Sequence, residues 1–316
     1  MPLMKTCCFA VLFMSAGPLS IAQAAAQDVT RDPDSVRLEL GDVRRFAAAV
    51  RVWPAEGMTD TAAALERDYL AHASPGLRAW TTRYQVTAMM LASATTTHPI
   101  IYTNLDQVAD AVLAQEQTLR AAFRKLAGVF PGAAFPPIWF VVGHHGPGGL
   151  TQREGVLIAI ERLANRPQDV VPLVLHELAH FQQAMVQGVE EYRRIYGPEQ
   201  TLLALALREG SAELIAELAT GQVISTAARE YGEAHEPELW SRFRTEMHGG
   251  EPGDWMFVRP ANPEWPADLG YWMGYRIART YYDQAADKRQ AVQDVIALTD
   301  FEGFLSASGY AHSGGR

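Results

Sequence analysis

Apolar side chains return every three or four positions over much of the chain, which is the spacing of one face of an α-helix. The longest such pattern covers residues 104–126. Shorter patterns predict helices at 60–71, capped by Asp60, and at 74–90, opened by a serine and a proline. Helical patterns resume at about residue 169 and continue to the C-terminus. The sequence therefore predicts a mainly helical protein.

Two short apolar segments interrupt the helical pattern. Residues 135–142 and 155–160 are rich in β-branched and aromatic side chains, and a loop of glycine and proline lies between them. They predict two strands, so the expected fold class is mainly α with a small β-sheet (α+β). We expect the segment 155–160 to lie at the edge of this sheet, where an extended peptide can bind as an added strand.

The first 24 residues have the pattern of a secretory signal peptide. A lysine precedes a short apolar stretch, and the small-residue sequence Ala22-Gln23-Ala24 marks a cleavage site. The pattern predicts an exported protein of the bacterial periplasm or the medium, with residues 25–59 as a leader and N-terminal segment and residues 60–316 as a single folded domain. The alternative is an uncleaved membrane anchor, for which the stretch is short, since a span needs about 20 residues.

Composition and charge narrow the possible partners and ligands. The chain is 48% hydrophobic and 20% charged, as in ordinary soluble proteins. Both cysteines lie within residues 1–24, so a metal bound by the mature protein must be held by His, Asp or Glu. Without those residues the chain carries 26 basic and 36 acidic side chains, a formal net charge of −10. This excess argues against nucleic acid as a partner, and no later segment predicts stable membrane insertion.

His176, Glu177 and His180 form the pattern H-E-x-x-H. On a helix, residues four apart share a face, so both imidazoles can bind one Zn²⁺ ion at about 2.0–2.1 Å. Glu177 would face a water whose pKa zinc lowers towards about 7, and would take its proton as general base. A chance match is the alternative. Apolar neighbours predict a buried helix, however, where such polar groups need a partner.

A second apolar helix, starting near Thr201, carries the candidate third ligand. Glu209 and Glu213 are four residues apart and share a face of this helix. Glu209 is the predicted third zinc ligand, and Glu213 is the predicted acceptor of the free ring N–H of His176. Gly210 would let the helix approach the motif helix closely. The alternative interpretation is a solvated acidic face.

A donor to the developing oxyanion is the remaining part of such a site. Tyr275 is the predicted donor, on a helix near the C-terminus in which Gly270 and Gly274 allow close packing. The alternative is that Tyr275 belongs to an aromatic core stripe. His144 and His145, in the loop between the predicted strands, are weaker candidates for contact with a substrate.

The motif H-E-x-x-H followed by Glu-Gly-x-Ala resembles the gluzincin zinc metallopeptidases, whose third ligand is a glutamate on a following helix. Over about residues 135–311 the chain also resembles the bacterial family of predicted zinc-dependent proteases related to gliding-motility lipoproteins. The segments that carry this resemblance are residues 175–183, 208–213, 270–275 and 304–310. It implies a zincin-like catalytic domain, with short strands before the active-site helix. By residue, it implies one zinc ion held by His176, His180 and Glu209, with Glu177 as the base.

Together, the residues and the resemblance predict an exported zinc metallopeptidase that hydrolyses a peptide or protein substrate through a zinc-activated water. Two other classes of protein fit the same sequence. One is a catalytically inactive zinc-binding protein that takes part in envelope assembly or binding. The other is a helical structural protein in which the motif is accidental.

Overall fold

The computed structural model describes residues 28–52 and 57–313, and the predicted signal peptide, residues 1–24, lies outside them. Within the described residues helices dominate and four short strands form one sheet. The predicted class, mainly α with a small β-sheet, is confirmed. None of the described helices has the combined length and apolarity that crossing a bilayer requires.

Contacts between Cα atoms divide the chain into two compact units, an N-terminal unit that ends at Phe181 and a C-terminal unit that begins at Gln182. The helices before the division are α1 (Gly41–Val52), α2 (Met58–Asp68), α3 (Pro75–Tyr84), α4 (Ala88–Thr97), α5 (Pro99–Thr103), α6 (Leu105–Leu113) and α7 (Glu116–Val129). The division falls within α8 (Val170–Gln187). The later helices are α9 (Val189–Arg194), α10 (Leu202–Thr220), α11 (Thr226–Glu246), α12 (Leu269–Gln284), α13 (Lys288–Ile296), α14 (Phe301–Ser308) and α15 (Tyr310–Ser313).

The sheet belongs to the N-terminal unit. Its strands are β1 (Leu38–Glu39), β2 (Ile138–Val141), β3 (Gly149–Gln152) and β4 (Gly155–Ala159), in the spatial order β1-β2-β4-β3. Strands β1, β2 and β4 run parallel, and β3 is antiparallel to β4. The two predicted strands correspond to β2 and β4. The edge position predicted for residues 155–160 is wrong, because β4 lies between β2 and β3.

Burial explains which strands the sequence reveals. Strands β2 and β4 are buried at every residue, and their unbroken apolar runs are typical of strands covered on both faces. In β3 only Leu150 is buried, and its start lies in a glycine- and proline-rich stretch that indicates a loop. The hairpin from β3 to β4 closes at Gly155, whose φ of 131° favours glycine. The third strand of this region therefore escaped the sequence prediction.

Several helix boundaries differ from the predicted ones. Helix α2 is capped by Gly57, and Asp60 lies within its first turn instead of capping it. Ser74 caps α3 as predicted, but α3 ends before Gln85, which adopts a left-handed conformation with φ 50°. The predicted helix at 104–126 consists of α6 and α7. Local turns therefore divide helices that the apolar pattern alone predicts as continuous.

Helices α10 and α12 cross with their backbones in contact. Gly274 of α12 lies against the carbonyl of Ala206, and Gly210 of α10 lies against the backbone nitrogen of Tyr275. A Cβ atom at either glycine would overlap this backbone. The predicted close packing at Gly274 is confirmed, whereas the close approach that Gly210 allows is to α12, not to the motif helix. The crossing fixes the helix that carries Glu209.

Gly274→Ala should destabilise the protein, because its methyl group would overlap backbone that cannot rotate away. We expect a loss of about 3 kcal/mol in the free energy of unfolding, the upper range for overpacking. Gly128→Ala is the matched control, since it is also helical and has nothing within 4 Å of its Cβ position. It should stabilise the helix by about 0.5–1 kcal/mol. Urea unfolding measures both, and equal stabilities would contradict the crossing.

Candidate metal centre

Helix α8 places His176 and His180 one turn apart on the same face. Their Nε2 atoms are 3.1 Å apart, and the two ring planes are nearly perpendicular, at 88°. Two nitrogens bound to one tetrahedral ion at about 2.05 Å would be about 3.3 Å apart. The pair therefore has the spacing of two ligands of a single ion.

Glu209, on α10, belongs to the same group. Each of His176, His180 and Glu209 offers one ligand atom, and these atoms lie within 4.8 Å of one another. All three residues are buried, with exposures of 6%, 6% and 7%. Two imidazole nitrogens and a carboxylate oxygen fit a divalent cation and leave a fourth tetrahedral position for water or a substrate. The group could hold a metal ion, and it is the set of three residues that the sequence predicts.

Glu177 packs against the edge strand β3. A Cβ atom at Gly149 would come within 2.5 Å of Oε1 of Glu177, so the carboxylate lies directly on the strand backbone. The hydroxyl of Thr151 donates to the main-chain carbonyl of Glu177 at 2.5 Å and lies 3.4 Å from its Oε2. Strand β3 therefore determines where the carboxylate points. Neither contact is predicted from the sequence, and the one signal for them is Gly149, since such a close approach requires a residue without a side chain.

Arg208, next to Glu209, is held by two side chains of α8, one at its backbone carbonyl and one at its guanidinium. The amide of Gln183 donates to the carbonyl of Arg208 at 3.2 Å, and Arg208 donates to Oε1 of Gln187 at 2.8 Å. The guanidinium of Arg208 also lies 4.1 Å from the centre of the Tyr192 ring. Gln183 and Arg208 are each only 2% exposed. These buried hydrogen bonds limit the movement of the helix turn that carries Glu209.

Glu213 lies one turn after Glu209 on α10 and is half-buried. Burial, together with the negative charges of Glu209 and Asp268, raises the pKa of Glu213 to about 8. The carboxyl of Glu213 therefore binds a proton more readily than an exposed glutamate does. Its predicted hydrogen bond with His176 stays a prediction.

The hydroxyl of Tyr275 donates to Glu217 at 2.5 Å. Glu217 also accepts hydrogen bonds from Arg229 at 2.9 Å and Arg279 at 3.3 Å. Burial opposes ionisation of Glu217, but the hydrogen bonds from Tyr275 and Arg229 outweigh it, and the pKa of Glu217 is lowered. Burial and the bond to Glu217 raise the pKa of Tyr275 to about 12. Tyr275 is thus a neutral donor in an ionic network, and its role towards an oxyanion stays a prediction.

His144 and His145 lie in the loop between β2 and β3. The ring of His145 is 4.2 Å from the ring of His98, and its backbone N–H donates to the buried carboxylate of Glu161 at 3.2 Å. Burial lowers the pKa of both His144 and His145, which disfavours the charged form of either ring. Contact of either ring with a substrate stays a prediction.

No known family, curated protein or solved structure matches this chain. The candidate metal centre consists of a buried group of two histidines and one carboxylate, with a further carboxylate, Glu177, next to the first histidine.

His180→Ala should strongly weaken metal binding, because it removes one of the three residues that could hold the ion. We expect the wild-type protein to bind one equivalent of zinc by elemental analysis. The variant should bind zinc more than about 100-fold more weakly. This loss is larger than the loss expected when a residue that only hydrogen-bonds to a ligand is removed. Chelation should lower the melting temperature of the wild type and not of the variant.

His72→Ala is the matched control, since His72 is exposed and lies outside the group. Its zinc content and its response to chelation should equal those of the wild type. Zinc content unchanged in His180→Ala would rule out the metal centre as described.

Proposed function

We propose that the protein is a zinc-dependent metallopeptidase. The observation that carries the proposal is the buried group of His176, His180 and Glu209, with Glu177 adjoining the first ligand. Two histidines and a glutamate are a ligand set of catalytic zinc in metallopeptidases. Zinc held by these residues would supply a Lewis acid that polarises a carbonyl oxygen and lowers the pKa of a water molecule.

Glu177 acts as the general base in this proposal. A base must lie within hydrogen-bond reach of the water whose proton it takes, and it works best when its position is restricted. The contacts of Glu177 with Gly149 and Thr151 provide that restriction. The carboxylate then passes the proton to the leaving amine, so that Glu177 is regenerated at the end of the reaction.

The edge strand β3 supports a peptide as the substrate. One side of β3 pairs with β4, and its other side pairs with no strand among residues 28–52 and 57–313. An extended peptide can add to such an edge through main-chain hydrogen bonds. A peptide in this position would lie next to Glu177, which packs on Gly149 of the same strand.

The remaining parts of the proposal come from the sequence. The signal-peptide pattern of residues 1–24 supports export to the periplasm or the medium. The resemblance to gluzincins supports zinc as the ion and peptide hydrolysis as the reaction. The net negative charge of the mature chain argues against nucleic acid as a partner.

Glu177→Gln should abolish hydrolysis while zinc content is unchanged, because the amide cannot take a proton and Glu177 is not one of the three ligands. We expect kcat to fall by about 10²–10⁴-fold, the usual contribution of general base catalysis. A quenched-fluorescence peptide library, incubated with zinc-loaded protein, identifies a substrate and measures the rate.

Glu190→Gln is the control, because the Glu190 side chain is 96% exposed. It should cleave peptides at the wild-type rate. Full activity in Glu177→Gln would exclude the proposed base. Zinc binding without cleavage of any peptide by the wild type would instead indicate a zinc-binding protein without turnover.

Gly149→Ala should lower kcat and leave zinc content and stability largely unchanged. The added methyl group would lie 2.5–2.7 Å from three atoms of the Glu177 side chain, which must move away. A small displacement of a catalytic group can cost about 100-fold in rate. In Gly148→Ala the nearest atom to the new Cβ is Leu173 Cδ2 at 4.0 Å, so this neighbouring variant should remain active. Equal rates in the two variants would show that β3 does not position Glu177.

A further inference from the structure

Tyr84, the last residue of α3, has a buried hydroxyl that finds no hydrogen-bond partner among residues 28–52 and 57–313. A buried hydroxyl left unpaired costs about 1–3 kcal/mol, whereas phenylalanine would fill nearly the same space without that cost. Buried polar groups in folded proteins are nearly always paired, and each exception needs an explanation. For Tyr84 no partner lies within the part of the chain that the structure describes.

The ring of Tyr84 is held in place by its neighbours. It packs edge-on against Trp80, with ring centroids 4.7 Å apart, and the guanidinium of Arg83 lies 5.3 Å from the ring centre. Trp80 is fully buried, and α3 packs on both β2 and β4. The hydroxyl is therefore kept in one position within the N-terminal unit, the unit that also contains the H-E-x-x-H motif.

The hydroxyl of Tyr84 lies within the electrostatic influence of Glu177. Burial, and after it the negative charge of Glu177, raise the pKa of Tyr84, while Arg83 has a smaller opposite effect. The proton consequently stays on the hydroxyl throughout the neutral range. Tyr84 can donate a hydrogen bond there, and it cannot act as a base.

Other buried tyrosines have their partners already. Tyr69 donates to the carbonyl of Val142 at 3.1 Å and accepts from its N–H at 2.8 Å. Tyr102 donates to the carbonyl of Gly143 at 2.9 Å, and Tyr275 donates to Glu217 at 2.5 Å. Tyr84 differs from all three, because its donor is unused.

We propose that Tyr84 is a catalytic residue that donates a hydrogen bond to the oxygen of the scissile carbonyl as negative charge develops on it. The inference rests on the proposed peptidase function and names a residue for a task that Tyr275 was predicted to perform. Tyr84 keeps its proton throughout, so no bond at Tyr84 is made or broken. A fixed donor in a buried site stabilises such charge more than a donor in water, because it does not need to reorient.

Tyr84→Phe tests the inference in the mature, zinc-loaded protein. We expect kcat to fall by about 10²–10³-fold, as for the loss of one oxyanion donor, with KM and zinc content unchanged. The melting temperature should stay equal or rise, because the variant removes an unpaired buried hydroxyl. A residue with a purely structural role would not combine lower activity with undiminished stability.

Tyr69→Phe is the matched control from the same unit. It removes the two backbone hydrogen bonds at Val142, so its melting temperature should fall while kcat of the folded protein stays unchanged. Tyr275→Phe, measured in parallel, separates the two candidate donors. Loss of kcat in Tyr275→Phe with full kcat in Tyr84→Phe would assign the task to Tyr275 and overturn the inference.

A pair of inhibitors provides a second readout that does not depend on turnover. A phosphinic peptide with the sequence of the best substrate carries anionic oxygen where the carbonyl oxygen would be, and a reduced-amide peptide of that sequence has no such oxygen. Tyr84→Phe should bind the phosphinic peptide about 100-fold more weakly and the reduced-amide peptide unchanged. Equal binding of the phosphinic peptide by wild type and variant would contradict a role at this oxygen.

The outcomes separate this inference from the proposed function. A wild-type protein that binds zinc and cleaves no peptide would exclude both. A wild-type protein that cleaves peptides, with an equally active Tyr84→Phe, would exclude the role of Tyr84 alone. A lower melting temperature in Tyr84→Phe would show that the hydroxyl has a structural partner, which would also overturn the inference.

Discussion

Nε2 of His176 and Nε2 of His180 lie 3.1 Å apart in a buried setting, where two neutral rings can share one N–H···N hydrogen bond or both lone pairs can bind one cation. The carboxylate of Glu209 adds negative charge to the same group, which favours a divalent cation there. The burial of these residues and the proposed chemistry both depend on this interaction.

The elements near the metal centre use small residues to bring functional groups into position. At Gly149 the absence of a side chain lets the carboxylate of Glu177 lie directly on strand β3. At Gly274 it lets two helix backbones touch, which fixes α10 and hence Glu209. The first glycine directs a side chain, and the second determines the position of a whole helix. For this reason a methyl group has a different effect at each position.

The acidic residues of α10 are accommodated in different ways along one helix. Glu209 belongs to the group with the two histidines, and Glu217 is neutralised by Arg229 and Arg279. Glu213, between them, has its pKa raised to about 8 by burial and by neighbouring acids. Three carboxylates on one face of a helix would otherwise repel one another. The placement of these carboxylates suits a site that binds a cation near Glu209. Arg229 and Arg279 offset the negative charge of Glu217, so the negative charge that is not offset lies towards Glu209.

The sequence by itself determined the class of fold and the three residues that could hold a metal ion. Helical spacing puts His176 and His180 on one face, and Glu209 stands within an apolar helical run. Both are local patterns that a single helix already specifies. Strand β3, the interior position of β4 and the contact of Gly149 with Glu177 depend on which segments pair across the sheet. That the Tyr84 hydroxyl has no partner among the described residues likewise depends on the neighbours that surround it after folding. Such contacts join residues far apart in the chain, so only the tertiary structure could decide them.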